Sequence, residues 1–374
     1  MRKSFKFRLV PNSQQAAALE RTLDAHRRLY NAALEQRKTA WKRCRVGITF
    51  YQQSAELKDI RRDLDVLDGT NFTSCEATLR RLDRAFQAFF RRVKSGEKAV
   101  GYPRFKGRNR FDTVEFKAGN GCKWSGWTIY FQHVGHVKVR LHRPVEGVIK
   151  TLNFKREADG WYVIASCDVP DMTPVVSDKP PVGIDLGLSA FLATSDGALI
   201  PPPQYFRHAQ KALRRAQRAL SRKQRGSQRR DKARQRVARL HQHVSRQRRD
   251  WHFKTAKRLT DQYGTVYAED LNIKGLARSR LAKSVLDAGW GQFLSILGRK
   301  VEETCGQLIL VNPYNTSQVC SACGALPDIP KTLSTRVHRC PCGCVLDRDI
   351  NAALNIKARG MRVQARTGPL GSVA

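Results

Sequence analysis

The residues best placed to do chemistry in this sequence are acids, and acids are scarce: 32 Asp and Glu against 69 Lys and Arg. Asp185 sits in the run Gly183-Ile-Asp-Leu-Gly-Leu188, behind the apolar Val182 and Ile184 and ahead of Gly187, which lets the backbone turn. Phe191-Leu-Ala-Thr194 then leads into Ser195-Asp-Gly197, so the segment reads as two strands joined by a turn, with a carboxylate on the first. Thr265-Val-Tyr-Ala-Glu269-Asp270-Leu271 is another short strand ending in acid, and Asp347-Arg-Asp349-Ile-Asn351 opens a helix with acid. Any one of these alone serves equally well to stabilise a turn. Three together, in a chain this short of acid, point to a divalent-metal site.

The second chemical cluster is sulfur. Five of the ten cysteines fall between Cys320 and Cys344. Cys320-Ser-Ala-Cys323-Gly324 is a knuckle in which two thiolates grip one Zn²⁺ at ~2.3 Å each. Cys340-Pro-Cys342-Gly343-Cys344 supplies the other arm of a four-cysteine zinc ribbon. Cys340 and Cys342 are the preferred second pair, because Cys342-Gly343 repeats Cys323-Gly324; Cys344 is then a free thiol and the alternative ligand. A redox dithiol lacks its thioredoxin-type context here, and such clustering in a chain with no secretory stretch after Met1 reads as metal binding. The ribbon leaves no place for water, so its role is structural. His338 reads as a surface residue, and Cys44, Cys75, Cys122, Cys167 and Cys305 as ordinary buried thiols.

Several elements must position these groups. Phe5, Phe7 and Leu9 alternate with Lys6 and Arg8, a strand with one basic face, and Pro11-Asn12-Ser13 then supplies a break and a cap. Apolar residues from Leu19 to Trp41 recur at helical spacing, and helices follow at 51–66 and 72–93, the last with Leu79, Leu82, Phe86, Phe89 and Phe90 as a core stripe. The basic Gly/Pro loop 101–110 marks a change to strands: 113–116, 128–131, 136–141, 149–154 and 161–168, with Glu157-Ala-Asp-Gly160 as a hairpin turn. Together with the first strand these suggest a small β-barrel or sandwich with helices inserted. Residues 177–181 read as a linker, 290–304 as an amphipathic helix, 307–311 as a buried strand and 360–374 as a mobile tail.

The formal charge of +37 in 374 residues exceeds what solubility needs and implies a polyanionic partner, nucleic acid being the commonest. Arg207 to Arg249 is the densest stretch, a helical hairpin turning at Gly226-Ser227 whose acids are too few for salt bridges to explain it; a nucleic-acid channel wall fits better. No run approaches the ~20 apolar residues of a membrane span. A cytoplasmic, nucleoid-associated protein acting as a monomer is expected, with no membrane partner.

At this point the motifs match a family. Gly-Ile-Asp-Leu-Gly, then Glu269-Asp-Leu-Asn-Ile-Lys-Gly-Leu276, then Asn312-Pro-x-x-Thr-Ser-Gln-x-Cys-Ser-x-Cys-Gly324, then Cys342-Gly-x-x-x-Asp-Arg-Asp-Ile-Asn-Ala-Ala-Leu-Asn-Ile356 resembles TnpB, the transposon-encoded RNA-guided DNA nucleases related to type V CRISPR effectors. The match spans essentially the whole chain, with the opening Phe-Arg-Leu-Val-Pro and the Tyr-Pro-Arg-Phe-Lys loop; it departs from the usual pattern only in the Cys-x-Cys arm.

The resemblance implies a multi-domain α/β protein: a RuvC-type, RNase H-like nuclease domain (180–316 and 345–359) interrupted by a zinc ribbon (317–344). A wedge-type β-barrel (1–11 and 103–176) with an inserted helical recognition domain (12–102) precedes it. It implies that Asp185, Glu269 and Asp349, chosen over Asp347, are the catalytic acids holding two Mg²⁺, that Zn²⁺ is structural, and that a noncoding RNA from the transposon end guides cleavage of double-stranded DNA beside a short adjacent motif. Arg80, Arg84, Arg104, Lys106, Arg214, Arg215, Arg218 and Arg222 are the candidate nucleic-acid contacts. The alternatives are a nuclease-dead RNA-guided regulator, an RNA-independent RNase H-fold transposase or resolvase, and a non-catalytic zinc-ribbon binding protein. Intact acids at all three motif positions count against the first and the last.

Overall fold

Alternation of side chains sets the first element of the computed structural model, which describes residues 1–63, 67, 69–97, 99–170, 177–332 and 334–367. In β1 (Arg2–Val10), Phe5, Phe7 and Leu9 are buried while Arg8 stays exposed, as a period of two requires. Asn12 then caps α1 (Ser13–Cys44): its side chain accepts from the Gln15 N–H, and the Gln15 side chain accepts from the Asn12 N–H. Next come α2 (Phe50–Asp63) and α3 (Phe72–Lys94), the latter capped by Asn71. The expected end of α2, 64–66, lies outside the described residues.

Six strands follow: β2 (Thr113–Lys117), β3 (Cys122–Ser125), β4 (Thr128–Phe131), β5 (Gly135–Arg140), β6 (Val148–Glu157) and β7 (Gly160–Asp168). With β1 they form one antiparallel sheet in the order β2-β6-β7-β1-β5-β4-β3. Phe116 on β2 and Phe131 on β4 stand near opposite ends of that order, yet their ring centroids are 5.5 Å apart. The sheet therefore curls on itself. Among the described residues β2 and β3 are not hydrogen-bonded to each other, so the expected barrel is an open, curled sheet. One hydrophobic core joins the sheet to α1 and α3 in the unit Met1–Asp171.

Four expectations need correction here. β3 was not foreseen: glycines flank it, and only Cys122 among its residues is fully buried, so it carries no apolar alternation. The α3 stripe leaves the core at its last turns, where Phe89 is half-buried and Phe90 is 60% exposed. Trp41 is exposed near the end of α1, with Arg45 over its ring. Cys44 at that end is exposed and Cys305 half-buried, whereas Cys75, Cys122 and Cys167 are buried.

The unit Met172–Ala374 is built on a second sheet. Its strands β8 (Val182–Asp185), β9 (Leu192–Thr194) and β10 (Leu199–Ile200) form a meander. After α4 (Tyr205–Ser221) and α5 (Gln228–Gln262) comes β11 (Thr265–Glu269), parallel to β8. The short α6 (Ile273–Leu276) and α7 (Ala282–Ala288) precede α8 (Trp290–Glu303) and β12 (Gln307–Val311), parallel to β11, giving the order β10-β9-β8-β11-β12. β12 is a half-exposed edge rather than a buried strand, because the sheet ends there and Leu310 faces solvent. A two-stranded ribbon, β13 (Val337–Arg339) and β14 (Val345–Asp347), runs directly into α9 (Arg348–Thr367).

The two faces of this sheet are covered differently. Val182, Ile184, Val266 and Ala268 share a core with Ala256 and Leu259 of α5 and Phe293 and Leu297 of α8. The intervening residues face α9: Tyr267 packs with Ile356, and a Cβ added to Gly183 would lie 2.1 Å from the Ala353 carbonyl oxygen. A Cβ on Gly360 would meet the Tyr267 ring at the same distance. Glycine at these two positions lets α9 lie directly on the strands. The mobile tail expected from Gly360 is instead α9 as far as Thr367, tied by the Tyr267 hydroxyl donating to Gln364; 368–374 lie outside the described residues.

Gly183→Ala should therefore lower the urea midpoint by an amount equivalent to about 1–3 kcal/mol, the usual scale of overpacking. Gly101→Ala, with nothing within 4 Å of its added Cβ, should change it by less than about 0.5 kcal/mol. Equal effects in the two variants would show that α9 does not rest on Gly183.

Candidate active site

Strand periodicity brings two of the acids together. Gly183 and Tyr267 both face α9, so Asp185 and Glu269, two residues further along each strand, face it too. β8 and β11 are parallel and pair Tyr267 with Gly183 and Ala268 with Ile184; the next step of that register sets Glu269 level with Asp185, about 4.8 Å away across the sheet. Asp349 comes to the same place from the first turn of α9, its Oδ2 lying 3.6 Å from where a Cβ on Gly187 would stand. Asp347 does something else: its Oδ1 accepts the N–H groups of Asp349 and Ile350, capping the helix.

Two of the three acids have an orienting side-chain partner. The Thr316 hydroxyl donates to Glu269 Oε1. Arg348 Nε and a terminal nitrogen both donate to Asp349 Oδ1 at 3.2 Å. The amide of Asn355 donates to the carbonyls of Thr316 and Val319, and Asn351 donates to Val319 and accepts from the Ser321 N–H, so α9 grips the loop that carries Thr316. Sequence reasoning recognised the motifs holding Thr316, Arg348 and the two asparagines without assigning them roles. Their only signal was position within those motifs, since their partners lie far away in the chain.

Charge crowds this corner. Burial, then the carboxylates of Glu269 and Asp349, hold the Asp185 pKa well above the usual range, against the pull of Arg348 and the Leu186 N–H. Burial likewise raises Glu269, opposed by the Thr316 hydroxyl and Arg359. Such a set accepts either protons or hard cations. Among the described residues, the three acids do not have ligand atoms all within 4.8 Å of one another, whereas Cys320, Cys323, Cys340 and Cys342 do.

In the ribbon, Cys320 Sγ lies 3.7 Å from Cys342 Sγ, and Cys323 Sγ 3.6 Å from Cys340 Sγ. A tetrahedron with arms of ~2.3 Å has an edge of about 3.8 Å, so the four thiols fit a zinc ion. Gly324 and Gly343 close the two knuckles at φ 77° and 88°, a left-handed turn that glycine adopts without strain. Cys344 lies outside this set. His338 is not the surface residue expected: it is 2% exposed, on β13, because its strand turns that side chain beneath the knuckles.

The candidate basic residues occur in both units. Arg80, Arg84 and Arg104 are exposed, Arg80 lying over the Phe50 ring at 4.8 Å. Lys106 is half-buried, its backbone N–H donating to Asn31 and its carbonyl accepting from the Asn31 amide. Arg214, Arg215 and Arg218 project from α4 into solvent and Arg222 follows its end, while Leu213 and Ala216 pack inward.

The fold of the chain is seen in solved structures of CRISPR effectors. The chain in a structure titled "Cas12f1-sgRNA-target DNA complex" matches with a TM-score of 0.58 at 16% identity, covering 92% of this chain and 83% of that one. A "mini-RNA-guided endonuclease CRISPR-Cas_phi3" matches with a TM-score of 0.54 at 10% identity, covering 99% and 94%.

Sequence comparison gives the family. Residues 165–280 match OrfB_IS605, described as "Probable transposase", 290–356 match "Cas12f1-like, TNB domain", and 1–45 match a "Helix-turn-helix domain", although here that segment is one strand and one unbroken helix. A Streptomyces pristinaespiralis protein named "Putative RNA-guided DNA endonuclease" is 33% identical over 98% of this chain and 91% of its own length. An Escherichia coli K12 protein of the same name, with the suffix InsQ, is 29% identical over 97% and 93%. The chain belongs to the OrfB/TnpB family.

The raised carboxyls make metal-free stability depend on pH. An acid whose pKa is higher folded than unfolded adds stability that is complete below its unfolded value and lost as pH rises through the folded one. Metal-free protein should therefore lose melting temperature from the ordinary carboxylate range upward, and Asp185→Asn should flatten that decline and melt higher than wild type at neutral pH. Added Mg²⁺ should restore wild type and leave the variant behind. Parallel pH–melting curves for the two proteins would contradict the crowding of charge at Asp185.

Proposed function

We propose that this chain is an RNA-guided DNA endonuclease that hydrolyses phosphodiester bonds at Asp185, Glu269 and Asp349. The observation that carries the proposal is the convergence of these three acids on the α9 side of one sheet, in a chain related over nearly its full length to proteins bearing that name. Two Mg²⁺ held there would supply an activated water and stabilise the departing oxygen. Carboxylate oxygens suit that cation. Asp185, between the other two, would be the shared ligand, and Glu269 and Asp349 would each help to hold the metal, the first aimed by Thr316 and the second by Arg348.

The remaining parts serve this site. The curled sheet of the first unit acts as the wedge (1–11 and 103–176) and α1–α3 as the recognition segment (12–102), while Zn²⁺ on the four cysteines holds the ribbon. Arg80, Arg84, Arg104 and Lys106, with Arg214, Arg215, Arg218 and Arg222 on the α4 side, bind the phosphates of a guide RNA and its DNA target. Base pairing, rather than side chains, reads the target beyond a short adjacent motif.

Asp185→Ala should lower Mg²⁺-dependent cleavage of a matched duplex by at least roughly a thousandfold, about 4 kcal/mol of barrier, while retaining RNA. Cleavage at the wild-type rate would remove Asp185 from the mechanism. Separately, Arg214→Glu with Arg218→Glu should weaken nucleic-acid binding and reduce the log–log salt slope by about 2, one per lost phosphate contact. An unchanged slope would take α4 out of the interface.

A further inference from the structure

The ribbon carries more donors than one zinc ion needs. Beside the four thiols already described, Cys320, His338 and Cys344 also bring one ligand atom each to within 4.8 Å of one another. The two sets share Cys320, the one fully buried thiol of the ribbon. The first set depends on Cys323 and Cys342, both exposed; the second contains neither.

His338 makes this more than a stray cysteine. Its ring is buried, neither ring nitrogen makes a hydrogen bond of ordinary geometry, and one of them lies within 4.8 Å of the Cys320 and Cys344 sulfurs. Leaving a buried polar group without a partner costs about 1–3 kcal/mol, so native proteins rarely do it without cause. The β13–β14 pairing sets His338 opposite Leu346, which ties the imidazole to the strands that end at Asp347 and α9. A neutral imidazole nitrogen and a second thiolate are ordinary zinc donors, and three protein ligands with an open fourth position are a stable zinc arrangement.

We infer that Cys320, His338 and Cys344 form a reserve zinc set, to which the ion passes when an exposed thiolate of the first set is lost. In that state Cys320 remains bound throughout, His338 and Cys344 bind, and water or a remaining thiolate fills the fourth position. No electron is transferred: two thiolates of the first set, or three where water enters, give way to the His338 imidazole and the Cys344 thiolate, and the proton that Cys344 sheds passes to a released thiolate or to solvent. The ion then still joins the first knuckle to the strands leading into α9, so Asp349 keeps its support. The inference rests on the zinc reading of the four-cysteine set.

Zinc per chain, measured on the purified full-length protein by metal analysis after removal of loose metal, tests it, with the ligand-field bands of the cobalt(II)-substituted protein as a second readout. Wild type should hold one zinc. Cys342→Ser should also hold one, with its cobalt bands moved to shorter wavelength as nitrogen replaces sulfur. The triple variant Cys342→Ser/His338→Ala/Cys344→Ser should hold none. His338→Ala/Cys344→Ser, with the first set intact, should hold one and thereby report that the ribbon still folds. A zinc-free Cys342→Ser, a triple variant that binds as Cys342→Ser does, or two zinc ions in wild type would overturn the reserve set. Wild type without zinc would instead overturn the zinc reading itself.

Discussion

The structure turns on the mutual repulsion of three carboxylates. Burial makes ionising Asp185 and Glu269 costly, and the carboxylates of Glu269 and Asp349 add to that cost at Asp185. One hydroxyl on Glu269 and one guanidinium on Asp349 recover only part of that, at roughly 1 kcal/mol for the neutral bond and somewhat more for the charged one. A fold does not gather acids this way for stability. The surrounding elements hold the groups in place at a standing cost, which a bound cation would remove.

Holding them requires close approach rather than many contacts. α9 reaches the strands because Gly183 and Gly360 lack side chains, and its first turn is set by Asp347 capping from the end of β14. The ribbon is therefore continuous with the acid cluster: Cys340, Cys342 and Asp349 lie on a single stretch of chain through β14 into α9. Asn351 and Asn355 close the loop from the other side by gripping the carbonyls before Cys320. Zinc on the four cysteines would thus bear on where the third acid sits. The same chain order explains why the motifs of the ribbon and of the acids occur together.

The acids were legible in the sequence because they end strands and open a helix, positions that local pattern marks. Period-two alternation then made Asp185 and Glu269 share a face as soon as one neighbour of each was known to touch α9. What local pattern does not carry is long-range pairing. Thr316 lies 47 residues from Glu269, and the extension of α9 past Gly360 depends on Tyr267. β3 formed because β4 offers it a partner, not because of its own residues. Phe90 continued a helical stripe that read as core, yet the layer beneath it ends before that turn. His338 looked polar and solvent-facing; only the pairing of β13 with β14 turned it inward.

Guidance by RNA is the central claim, and no single residue spells it out. The direct test is to purify the chain with its flanking DNA present in the host, sequence the RNA that accompanies it, and then rebuild the complex with the 3′ portion of that RNA rewritten to match a chosen plasmid. With Mg²⁺ present, the account predicts that double-strand breaks move to the newly specified sequence beside one constant short motif, and that protein without RNA cuts nothing. Breaks that stay at one place whatever the RNA, or that form without it, would contradict the account and point to an RNA-independent transposase or resolvase.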